Sequence, residues 1–127
     1  MNVKEFSVRT GISAHTLRYY DRVGVLGQVK RRSNGHRYFN EKDLEWVAFV
    51  QRLKDTAMPL EQIQQYAQLR EAGENTLQAR QLLLSAHAEQ LEQQLAVQQQ
   101  HMSKLAQKLR WYDDQLAGLP SSTNILD

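Results

Sequence analysis

Between Leu77 and Leu116 apolar residues recur at alternating spacings of three and four. Leu77, Leu84, Leu91, Gln98, Leu105 and Tyr112 lie seven apart, and Gln81, Ala88, Leu95, Met102, Leu109 and Leu116 interleave with them. Ten of these twelve positions are apolar, which is the seam of a coiled coil rather than the broader face of a globular helix. At ~1.5 Å per residue such a helix is roughly 60 Å long. The rest of the chain, about 75 residues ahead of it, is too small to cover that seam, so the pattern calls for a second chain. Glutamine crowds the same stretch, but leucine and alanine keep register through it. The glutamines therefore read as solvated helix faces, and Gln81 and Gln98 as seam positions that fix alignment at a cost in stability.

The remaining sequence reads as short helices and one hairpin. Val3 to Arg9 stops at Thr10-Gly11, where glycine permits a left-handed cap. Ser13 is an N-cap for a helix from Ala14 to Val23, its hydroxyl accepting from the amide near Thr16. Val29–Arg32 and His36–Phe39 flank Ser33-Asn34-Gly35, and Asn-Gly predicts a tight hairpin with positive φ at both turn positions. Asn40 and Asp43 form a capping pair for a helix that ends before Pro59; Pro59 and Glu61 open another that runs to Ala72-Gly73. Asn75 and Gln78 are expected to cap the long helix. The domains expected are 1–73, a winged helix-turn-helix; 74–117, the dimerisation helix; and 118–127, a flexible tail. The fold class is mainly α with a small β-hairpin wing.

Composition narrows the chemistry. No cysteine is present among the 127 residues, which excludes disulfides, thiolate metal sites and cysteine nucleophiles. The longest apolar run, Trp46–Val50, is far short of the ~18 residues a membrane span needs, and a cytoplasmic location is expected. Residues 1–58 carry 11 Lys/Arg against 6 Asp/Glu, whereas residues 59–127 carry 5 against 8. The basic half should face a polyanion or an acidic partner. A helix-turn-helix followed by a basic wing does so by geometry, with the second helix in a major groove and the wing along the backbone. The candidates on the second helix and its cap are Ser13, His15, Thr16, Arg18, Tyr19 and Arg22, with Leu17, Tyr20 and Val23 facing inward. The wing offers Arg31, Arg32, Asn34, Gly35, His36, Arg37 and Tyr38, and Lys54 is a further phosphate candidate. Thr16 and His15 are the expected base-edge readers, being near the start of the recognition helix.

The run Ile12-Ser13-Ala14-His15-Thr16-Leu17-Arg18-Tyr19-Tyr20-Asp21, with Gly24-Val25-Leu26 and Asn34-Gly35-His36-Arg37-Tyr38-Phe39, resembles the MerR family of bacterial transcription regulators. The likeness continues through Arg52-Leu53-Lys54-Asp55-Thr56-Ala57-Met58-Pro59-Leu60-Glu61-Gln62-Ile63 into the terminal helix. It implies a homodimer joined by an antiparallel coiled coil, two winged heads on a palindromic operator, and a promoter bent and untwisted to realign its elements for RNA polymerase. Bending such a site costs on the order of 1–6 kcal/mol, within reach of several phosphate contacts per head. In that frame Arg18 and Tyr19 hold phosphate and groove edge, and Arg37 and Tyr38 anchor the wing to the DNA backbone. The seam residues are Leu84, Leu91, Leu95, Met102, Leu105, Leu109, Tyr112 and Leu116.

Departures from the family pattern limit what the protein senses. Metal-sensing members use cysteines at the end of the dimerisation helix, and aldehyde-sensing or nitrosative-stress members use one in the stretch matched by Val50–Lys54; this chain has neither. The eleven residues from Ala117 to Asp127 are expected to hold no ligand domain. No cofactor is implied, and a small-molecule effector stays unidentified. The scattered His15, His36, His87 and His101 lack metal-site spacing, and Asp113-Asp114 reads as a charged helix face rather than a catalytic pair. Trp46 and Phe49 read as core, or as the wall of a small-ligand pocket between head and rod; Trp111 and Tyr112 cap the seam or line an effector pocket. The rival to a DNA-binding regulator is a coiled-coil adaptor whose basic head docks an acidic protein. An enzyme is not expected, since no nucleophile, base and orienter come together.

Overall fold

A computed structural model describes residues 1–120. Helix α1 (Val3–Thr10) and helix α2 (Ala14–Arg22) precede a two-stranded antiparallel hairpin, β1 (Lys30–Arg31) and β2 (Arg37–Tyr38). Helices α3 (Glu41–Asp55) and α4 (Leu60–Ala72) follow; a 3₁₀ turn at Glu74–Thr76 leads into α5 (Leu77–Ala117). The chain divides into two compact units, a head of Met1–His87 and the part of α5 from Ala88 onward.

Local chemistry explains most of the boundaries. Ser13 caps α2, its side chain accepting from the Thr16 amide, and Asn40 and Asp43 complete a reciprocal capping box at α3. Gly11 closes α1 in the left-handed conformation with its amide on the Ser7 carbonyl. The end of α3 is less ordinary. Met58 N donates to Leu53 O and Ala57 N to Lys54 O, a Schellman closure in which an alanine, φ 63°, occupies the left-handed position that glycine usually takes. Buried Leu53 and Met58 supply the apolar contact that accompanies this motif.

Two expectations need correction. The hairpin is not the two-residue turn that Asn-Gly predicts: Gly35 alone of the pair has positive φ, at 85°. Gly35 N donates to Arg32 O and Arg32 N to His36 O, so a turn from Arg32 to Gly35 closes with a left-handed glycine bulge, while Asn34 Oδ1 accepts from His36 N. The start of α5 is set by the 3₁₀ turn, with Thr76 Oγ1 donating to Leu69 O and Gly73 O, and no side-chain cap from Asn75 or Gln78 is seen. Leu83 and Leu84 pack half-buried on the head core, and His87 Nε2 lies 2.7 Å from Thr56 Oγ1, so the first turns of α5 belong to the compact head unit. Leu84 is therefore covered at least partly by its own chain, although its heptad position places it in the dimer seam. Of the expected tail, Gly118 and Leu119 close α5 through Gly118 N to Gln115 O and Leu119 N to Asp114 O. Residues 121–127 lie outside the described residues.

One apolar cluster holds the head together, with Phe6, Leu17, Tyr20, Val25, Trp46, Val47, Val50 and Ile63 among its buried members. Phe6 stacks on Phe39 at 4.1 Å, joining α1 to the end of the wing. Two side chains fix the end of α2 from outside: Trp46 Nε1 donates to Val25 O at 3.0 Å and Gln64 Nε2 to Val23 O at 2.8 Å. These bonds satisfy the Val23 carbonyl at the cap of α2 and the Val25 carbonyl in the loop after it, and tie them to α4 and α3.

Candidate nucleic-acid interface

Helix α2 turns Leu17 and Tyr20 into the core, which leaves His15, Arg18 and Arg22 exposed and Thr16 and Tyr19 half-buried. Val23 is half-buried as well. Ser13 and Thr16 have a structural task besides any external one: Ser13 Oγ donates to Thr16 Oγ1 at 2.9 Å while accepting from its amide. The Arg22 guanidinium lies 5.4 Å from the Tyr19 ring centre, so the two share one surface.

The wing is built around a carboxylate that the sequence reading did not use. Strand register sets Arg31 directly opposite Arg37, a pairing of like charges that would push the strands apart. Asp21, near the end of α2, accepts from Arg37 Nε at 2.5 Å and from Arg31 Nη2 at 3.5 Å through the same oxygen, while Arg31 Nη1 donates to Gly35 O. Its side chain is 15% exposed, and that of Arg37 is 24% exposed. Asp21 thus neutralises the cross-strand arginines and straps the wing to the recognition helix. Arg37, expected to point at a DNA backbone, is turned toward Asp21. Only the separation of 16 residues hid this; an acid closing the recognition helix before an arginine-rich hairpin was the available signal.

Arg18, Arg22, Lys30 and Arg32 have no carboxylate partner among the described residues, although Arg32 rests 5.7 Å from the Tyr38 ring centre. Asn34, Gly35 and His36 are exposed at the wing tip, and Tyr38 is half-buried. A groove of about 570 Å³ runs between α1, α2 and the wing, lined by Lys4, Arg18, His36 and Arg37. Lys4 was absent from the sequence candidates, because nothing in the pattern of α1 says that it faces the wing. Lys54 stands apart from this face, with its amine on the Tyr20 hydroxyl at 2.6 Å. Among the described residues no three His, Asp or Glu side chains come together as a metal-binding group.

In the second unit, Leu95, Met102, Leu105, Leu109, Tyr112 and Leu116 are all 49–86% exposed in the single chain, and Leu91 is half-buried. Trp111 is half-buried and meets Tyr112 edge-on at 5.0 Å. An apolar stripe of this length on one helix is the mark of a surface that another molecule covers.

The family model for MerR helix-turn-helix regulatory proteins matches residues 1–70, and the MerR DNA-binding model matches residues 44–108. The chain belongs to the MerR family. It is a helix-turn-helix transcriptional regulator of that type. An uncharacterised HTH-type transcriptional regulator of Haemophilus influenzae is 36% identical over 104 residues, covering 82% of this chain and 77% of the relative. Among solved structures, a MerR-family regulator from Listeria monocytogenes superposes with a TM-score of 0.87 at 34% identity, over 93% of this chain and 89% of the other. HiNmlR, a MerR-family regulator lacking the sensor domain and solved bound to promoter DNA, superposes with a TM-score of 0.79 at 33% identity, over 93% of this chain and 94% of that one. No helix among the described residues is long and apolar enough to cross a membrane.

Proposed function

We propose that this MerR-type regulator acts in the cytoplasm as a homodimer, joined through the stripe from Leu91 to Leu116, and places its two heads on a palindromic promoter operator. Each recognition helix enters a major groove, with His15 and Thr16 at base edges and Arg18, Tyr19 and Arg22 on the sugar-phosphate backbone. The wing lies along the neighbouring backbone through Arg32, His36 and Tyr38, while Arg31 and Arg37 set its position. The operator is bent to bring promoter elements into register for RNA polymerase, the bend being driven by phosphate contacts on two heads. One observation supports this reading above the rest: four arginines and lysines without carboxylate partners among the described residues, Arg18, Arg22, Lys30 and Arg32, belong to a helix and a hairpin held together by Asp21.

The test is binding of the purified chain to DNA from upstream of its own gene and its neighbours, titrated at two salt concentrations against excess random duplex. The expected result is a protected stretch with a dyad, resistant to competitor, and a log–log salt slope near −0.9 per phosphate neutralised. Equal loss of binding to random duplex, at these sites and at any selected from a random pool, would refute the operator model.

A further inference from the structure

A second cavity lies away from the wing, between α2, α3 and α4. It is a half-open depression of about 240 Å³, lined by Tyr19 and Tyr20 of α2, Val50 and Lys54 of α3, Met58, and Ile63 of α4, with the exposed Leu60 and Lys54 at its rim. Val50, Met58 and Ile63 are buried core residues, so this lining is apolar. One strongly polar group joins it. Lys54 Nζ donates to the Tyr20 hydroxyl at 2.6 Å and lies 4.9 Å from the centre of that ring. An ammonium carries three donors, and a neutral phenol takes one without cancelling the charge. No carboxylate lies within ion-pair distance of Lys54 among the described residues.

An apolar lining with one uncancelled cation selects a ligand that has an apolar body and a single anionic group. The volume is below the about 300 Å³ at which drug-sized sites begin, which limits the body to one ring or a short alkyl chain. A DNA phosphate could meet Lys54 from outside but would leave the apolar space empty, since a nucleic-acid backbone has nothing to put there. We propose that this cavity binds a small monocarboxylate with an aromatic or short aliphatic body, its carboxylate on Lys54 and its body between Tyr19 and Leu60, above the buried floor of Val50, Met58 and Ile63. The ligand would touch the recognition helix directly through Tyr19 and Tyr20. The site goes beyond the DNA-binding reading, and its binding test needs no DNA.

The experiment follows the methyl resonances of Val50, Met58 and Ile63 in the full chain, free of DNA, at constant ionic strength. Benzoate, its neutral isostere benzamide, and inorganic phosphate are the probes. Benzoate should give saturable shifts confined to these methyls, with benzamide and the Lys54→Gln variant each weaker by at least about tenfold, the worth of one charge-assisted bond. Leu60→Trp, at the partly exposed wall, should block benzoate while circular dichroism shows the helices intact. Absence of saturable shifts with benzoate up to about 10 mM would overturn the proposal. So would benzamide binding as well as benzoate, a comparison on the native chain that stands even where a variant fails to fold. If phosphate alone moves the same methyls, Lys54 is a phosphate contact and the carboxylate site is refuted.

Discussion

Replacing Asp21 by alanine removes a negative charge from the surface proposed to face DNA, and simple electrostatics says that affinity should then rise. The geometry of the wing says the opposite. Asp21 holds Arg37 through a 2.5 Å bond between side chains only 15% and 24% exposed, and it separates two arginines that the strand register sets face to face. A hydrogen bond to a charged group at such a site contributes about 1.5–3 kcal/mol. The half-exposed Arg31 contact at 3.5 Å adds no more than about 0.5 kcal/mol. Asp21→Ala should therefore cost roughly 2 kcal/mol in wing docking, before counting the like-charge pair it uncovers. The competing gain, from one fewer screened anion near the phosphates, is a few-fold at moderate salt. A head whose wing is docked only part of the time binds weaker in proportion to that fraction, so a net loss of about five- to tenfold is expected. Fluorescence anisotropy on an operator duplex at two salt concentrations measures it, with Arg37→Ala and the double variant completing a thermodynamic cycle. Coupling between Asp21 and Arg37 should exceed about 1 kcal/mol. Tighter binding by Asp21→Ala, or additive single effects, would show that the carboxylate is not a strap.

Other substitutions probe the remaining links. Ala57→Gly relieves a left-handed alanine at the end of α3 and should raise stability by about 0.5–1 kcal/mol, seen as a higher midpoint in urea; an unchanged or lower midpoint would contradict the strain. Ser13→Ala removes the cap of the recognition helix and should cost about 1 kcal/mol in the same assay, with no loss meaning that the cap is redundant. Phe6→Ala empties a fully buried position stacked on Phe39 and should cost about 3–5 kcal/mol, unfolding much of the head at room temperature. Leu95→Asp together with Leu109→Asp should convert the dimer to monomer in sedimentation and abolish tight operator binding; a monomer that still bound tightly would refute the two-headed model.

Features decided within three or four residues were open to reading from the chain alone. Ser13 capping α2, Asn40 with Asp43 capping α3, Gly11 closing α1 and the heptads of the last helix all depend on side chains adjacent in sequence. The motif density of the recognition helix and wing carried the family, because those residues are contiguous too. Tertiary structure decided whatever depends on distant neighbours. Asp21 reaches Arg37 across 16 positions, and Lys54 reaches Tyr20 across 34. Among the described residues the same basic side chains therefore divide into those tied to a partner and those without one, which are the proposed DNA contacts. Leu84 fits the heptad as well as Leu91 does, yet it packs on the head, since an apolar side chain is buried by whichever surface folding brings to it. Even the hairpin turn follows this rule. Asn-Gly marks where the chain reverses, but the bulge that sets Arg31 opposite Arg37 belongs to the pairing of two strands. Periodicity and caps specify which elements form; charge pairing and burial between elements determine which of their residues remain available for function.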